Sequence, residues 1–147
     1  MAVRSPLSTA AAIEVCGSPY TVSICLFLVE LVNGVDLYQL NVTRLPVYAA
    51  HSPSGTSVDN VYHFAQVVPP SYVVSNVRVP VALYHSAGDI YAVPKDVARL
   101  EKELPNVVRS IQVADKHMTH YYFALGMHAA DMVYNDMLEL MAKYRGA

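Results

Sequence analysis

The chain has 147 residues, with 10 Lys and Arg against 12 Asp and Glu and a formal net charge of −2. That balance offers no basic surface to a polyanion, so no nucleic-acid partner is expected. Apolar residues make up 54% and charged residues 15%, which is enough to bury a core and too apolar for a disordered chain.

The longest apolar run, residues 22–32, is interrupted by Glu30 and is too short for a spanning helix, so no transmembrane segment is expected. Arg4, Pro6, Ser8 and Thr9 near the start break the continuous apolar stretch that a secretory signal requires, so no signal peptide is expected there.

Apolar residues predict a helix across 25–32, followed by a loop at Asn33 and Gly34. A second helix is predicted from Thr56 or Ser57, after a loop with Pro53 and Gly55. It has a hydroxyl at its cap, carries Val58, Val61, Tyr62, Ala65 and Val68 on one face, and is stopped by Pro69 and Pro70. Residues 79–85 form a nearly unbroken apolar run with Pro80 at its entrance, as expected of a strand covered on both faces. A loop follows over 86–91. Val97, Leu100 and Leu104 then recur at helical spacing, between Pro94 at the first helical position and Pro105 as the stop. Residues 107–113 read as a second strand and 115–119 as a polar loop. In the last element Ala130, Val133, Tyr134, Met137, Leu140, Met141 and Tyr144 make one helical stripe. Acids lie toward its start, bases toward its end, and Gly146 just beyond.

Strand, loop, helix, strand, loop and helix imply parallel pairing with right-handed crossovers, which makes the fold class α/β. Two strands are not a whole sheet, so the neighbours of this pair lie either in residues 1–80 or outside the chain.

In open α/β sheets, catalytic groups collect beyond the carboxyl ends of the strands. Asp89 lies in the first such loop, and His117 and His120 lie in or beside the second. Acid before histidine is the order of the last two members of a Ser, Asp, His triad on an α/β-hydrolase. There the imidazole takes the serine proton and the carboxylate fixes its tautomer. The same residues also have plainer roles, the Asp as a turn or cap residue and the His as a packed or surface side chain. No GxSxG pentapeptide occurs in the 147 residues. Ser57, in SGTSV, is the nearest imitation and reads as a helix cap. Asp115, His117 and His120 form a thin candidate for a metal site, set below the other readings, so no metal and no cofactor are expected. Cys16 and Cys25 are either a short-loop disulfide or two buried thiols, and Asn41 opens an N-x-T glycosylation sequon.

The run NVTRLPVYAAHSPSGTSVDNVYHFAQ (41–66), continued by PPSYVVSNVRVPVALYHSAGD (69–89), PKDVARLEKELPNVV and HYYFALGMHAADMVYNDML, resembles the acid lipase family of gastric and lysosomal lipases. The resemblance covers nearly the whole chain and implies the C-terminal part of an α/β-hydrolase. Residues 1–80 then correspond to a mostly helical cap or lid, and 81–147 to the end of the core, a short parallel sheet with flanking helices. It implies that Asp89 and His120 are the triad acid and histidine, that Cys16 and Cys25 form a disulfide, and that Asn41 is glycosylated. Two extra residues before His120 keep His117 open as the alternative. The family's serine elbow and N-terminal core half have no counterpart in these residues. The expectation is therefore a fragment of a lipid ester hydrolase, acting on glycerol or sterol esters in a secreted or lysosomal setting and inactive alone. The alternative is a non-catalytic module that binds lipid or a partner.

Overall fold

In the computed structural model the described residues are 5–34, 38–52, 54–68 and 70–145. Pro53, Pro69 and Gly146, expected at a loop, a helix end and a helix cap, lie outside them. The chain divides into two compact units. The first comprises residues 1–29 and 41–72, and the second residues 30–40 and 73–147.

The first unit is helical. Helix α1 (Pro6–Gly17) is capped by Ser5, whose Oγ accepts from the Ser8 amide at 3.0 Å, with proline at the first helical position. Helix α2 (Val22–Asn33) starts in this unit, and a Cys16–Cys25 disulfide joins it to α1. The pairing left open in the sequence is thus a disulfide, and both cysteines are buried. A short 3₁₀ turn, Val42–Arg44, is capped by the Asn41 side chain and leads into α3 (Leu45–His51), which packs against α1 around Gly17 and Pro46. Helix α4 (Val58–Ala65) begins as expected, with Ser57 Oγ accepting from the Asn60 amide at 3.1 Å. It ends before the prolines, however, and Val67 is 98% exposed. The stripe of Val58, Val61 and Tyr62 also lies in the open.

The second unit holds β1 (Val81–Ser86), α5 (Pro94–Glu103) and β2 (Val107–Val113), with the strands parallel and the helix packed on β1. Proline opens α5, and an exposed Arg99–Glu103 pair spans one of its turns. The register pairs Ala82 with Arg109 and Ser86 with Val113, with one irregularity next to Val81. β1 was expected to be covered on both faces. Instead only Ser86 is buried, and the other five residues are half-exposed. The physical reason is that the sheet has two strands among the described residues, too few to be enclosed.

After the short helix α6 (Tyr122–Leu125) the chain winds as a π-helix over Ala130–Tyr134 and continues as α7 (Asn135–Lys143). The π turn corrects the single expected stripe. Wider winding shifts the phase of the residues on either side, so Val133 is buried while Ala130, Met141 and Tyr144 are exposed. Tyr84 on β1 and Arg109 on β2 both reach Asp136 on α7, the Tyr84 hydroxyl donating at 2.5 Å, which ties the last helix to the sheet. Among the described residues no single helix is long and apolar enough to cross a membrane.

Candidate active site

Asp89 and His120 emerge from the loops at the carboxyl ends of β1 and β2, where the parallel pairing brings the two loops side by side. The loop after β1 turns tightly, with Ser86 Oγ accepting from the Gly88 amide at 3.0 Å. Gly88 is then pressed against the loop after β2, where a Cβ on it would come within 1.9 Å of the Lys116 carbonyl oxygen. Only a residue without a side chain permits that approach.

Asp89 is 4% exposed. Its Oδ1 accepts from the Tyr91 and Ala92 amides at 2.8 and 2.9 Å, and its Oδ2 accepts from His120 Nδ1 at 2.9 Å. The turn role and the histidine-orienting role, which were alternatives in the sequence, are thus filled by separate oxygens of one carboxylate. Burial pushes the Asp89 carboxyl up, but the Ala92 amide, the His120 ring and the Tyr91 amide outweigh it. The group is held below the usual carboxylate value.

The His120 side chain is 49% exposed. Its ring packs edge-on against Tyr91 and Tyr121, with centroids at 5.2 and 5.7 Å. With Nδ1 donating to the carboxylate, the neutral ring carries its free lone pair on Nε2, the nitrogen suited to receive a proton. His117 points elsewhere, its ring 5.3 Å from that of Tyr38 and its amide donating to Asp115 Oδ1. Asp115 in turn accepts from Gln39 Nε2 at 2.7 Å. The loose metal-site candidate of Asp115, His117 and His120 therefore does not assemble. Among the described residues no three His, Cys, Asp or Glu side chains converge on a cation position. Ser57 caps α4, the plain role expected of it.

The chain is similar to several known lipases. Human lipase member K is 32% identical over 90% of the chain, and rat gastric triacylglycerol lipase is 33% identical over 88%. These likenesses, at about 30% identity over about 90% of the chain, support kinship with the acid lipase family. Mouse lipase member M, at 29% identity over 88% of the chain, is a further acid lipase relative. The chain spans 39%, 38% and 36% of the lengths of these three relatives. No family model matches. The acid lipases imply an α/β-hydrolase fold, to which the parallel pair with flanking helices conforms.

Sequence reasoning missed three residues around the pair. Asn33 and Gln39 hold the loop that bears His120, Gly88 lets the two loops meet, and each is unremarkable in sequence: a helix-end amide, a glutamine in a short connection and a loop glycine. A strand followed by Ser-Ala-Gly-Asp marks a tight turn, which was the available signal for Gly88. No local signal existed for Asn33 or Gln39.

Proposed function

We propose that this chain supplies the acid and the general base of a serine ester hydrolase acting on lipid esters such as triacylglycerols or sterol esters. It would form the C-terminal portion of such an enzyme, with residues 1–80 as cap or lid and 81–147 as the end of the hydrolase core. The observation that carries this is the 2.9 Å bond from His120 Nδ1 to the buried Asp89. His120 Nε2 would take the proton of a serine hydroxyl as that oxygen attacks the ester carbonyl. Asp89 would stabilise the imidazolium, and the same Nε2–H would then go to the departing alcohol. Water repeats the sequence to release the acid. The serine is not offered by a GxSxG run in these 147 residues, so it would come from another segment. The disulfide and the Asn41 sequon, whose Thr43 hydroxyl donates to Asn41 Oδ1 at 2.7 Å, support a secreted or lysosomal, glycosylated product.

The test joins a fluorophosphonate probe to a short-chain chromogenic ester. The purified chain is expected neither to label nor to hydrolyse. A chimera in which it replaces the matching portion of rat gastric triacylglycerol lipase is expected to do both. Saturable hydrolysis by the chain alone, or an inert but folded chimera, contradicts the proposal.

A second reading, a module that binds lipid or a partner without catalysis, is favoured by the open apolar side chains of α4, where Phe64 is 87% exposed beside Val61 and Tyr62. A folded monomer that binds fatty acid, together with an inert chimera, would select it.

A further inference from the structure

We propose that Asn33 is a positioning residue for His120, fixing the chain on both sides of the histidine and so aiming its imidazole at Asp89. The proposal rests on the reading of His120 as general base.

Asn33 closes α2 and is 2% exposed. Its Oδ1 accepts from the Thr119 hydroxyl at 2.6 Å and from the Tyr121 amide at 3.2 Å. Those two residues flank His120, so a single carbonyl oxygen, from a residue more than eighty positions earlier, holds both neighbours of the histidine. Thr119 is buried too. If the acceptor were removed, its hydroxyl would have no water to turn to, which makes the bond expensive to lose. The His120 ring is half-exposed and is not locked by enclosure, so its aim depends on how its backbone is anchored.

The residue before Asn33 serves the acid side. The Val32 carbonyl, one of those left free at a helix end, accepts from the Tyr91 hydroxyl at 2.6 Å. Tyr91 gives its amide to Asp89 Oδ1 and packs its ring against His120. Consecutive residues in the last turn of α2 therefore brace both arms of the pair, Val32 through Tyr91 and Asn33 through Thr119 and Tyr121. Gln39 continues the splint. Its Nε2 holds Asp115 at 2.7 Å, its Oε1 accepts from the His128 amide, and its carbonyl accepts from the Met127 amide. The loop bearing His120 is thus clasped at several points by Asn33 and Gln39.

The test reads the proton between His120 and Asp89 in the full 147-residue chain. By nitrogen-edited NMR this is a low-field ring resonance that H120A and D89N should each abolish. Asn33→Ala removes the acceptor. Thr119→Val removes the donor at nearly constant shape, and Thr119→Ser restores it. In N33A and T119V the ring proton is expected to exchange with water roughly tenfold faster or to disappear, the effect of one buried hydrogen bond. In T119S it should stay. The double variant should be no worse than the worse single one, since both remove the same bond. A purely structural role would lower stability in N33A and T119V without moving this resonance, and that result overturns the proposal. Should N33A fail to fold, the contrast between T119V and T119S carries the test. A parent chain that lacks the resonance overturns the dyad itself, a failure visible before any Asn33 or Thr119 variant is made.

Discussion

Gly88 and Lys116 meet backbone to backbone, with room for a hydrogen where any other residue would put a carbon 1.9 Å from the Lys116 oxygen. This is the contact through which the Asp89 loop and the His120 loop lie close enough for their side chains to bond. Neither partner in it is flexible, so Gly88→Ala must part the loops. The expected loss is about 2 to 3 kcal/mol, in the range for overpacking, read from the urea midpoint, together with loss of the His120 ring-proton resonance. A G88A chain as stable as the parent would show that the approach is not required.

Asp89 predicts how stability responds to acid. Its folded carboxyl titrates below the ordinary aspartate value. Its contribution is therefore complete above the ordinary carboxylate range and is lost as pH falls through the lowered folded value. Urea midpoints should separate the parent from D89N at neutral pH and converge as pH drops below about 4. A gap that stays constant down to the acid limit would mean that Asp89 is not ionised in the fold.

Tyr84 predicts the opposite limb. Burial first, then the hydrogen bond to Asp136 and the charge of that carboxylate, pushes its hydroxyl from 10.0 up to about 12, with Arg109 pulling the other way. The raised value means that its contribution is whole below about pH 10 and fades as pH climbs toward 12. In an ultraviolet titration the last tyrosine to ionise should vanish in Tyr84→Phe. Y84F should cost about 1 kcal/mol at neutral pH. An unchanged titration curve would refute the link between β1 and α7.

The Cys16–Cys25 bond closes a short loop between α1 and α2. Removing it as C16S/C25S should destabilise the first unit by about 2 to 3 kcal/mol, the loop-closure value for such a span. Limited proteolysis within residues 6–33 under reducing and oxidising conditions checks this, and equal cleavage rates would contradict it.

Much of the second unit was legible because its signals are local. Pro94 and Pro105 bracket α5, and β2 falls on residues 107–113, which read as a strand. The Asp89 and His120 pair was legible from strand ends and chain order, and from the resemblance. Other parts were not legible, for identifiable reasons. Helix α1 carries apolar residues all round, so no period marks it, although Ser5 and Pro6 mark its start. The π winding at Ala130–Tyr134 leaves the helical pattern of residue types nearly intact while rotating what they face. Asn33 and Gln39 act across long separations in sequence, and no single-sequence pattern encodes such partners. The choice between His117 and His120 as the residue meeting Asp89 needed coordinates, since both sit in one loop region and only their surroundings, Tyr38 for one and Asp89 for the other, tell them apart.

The measurement closest to the central claim is turnover of a lipid ester by the rat gastric triacylglycerol lipase chimera carrying either H120A or H117A. The dyad predicts that H120A lowers kcat by roughly 10³-fold or more, while H117A, which removes a ring packed on Tyr38, stays within about tenfold of the parent. Loss of turnover in H117A with survival in H120A would contradict it.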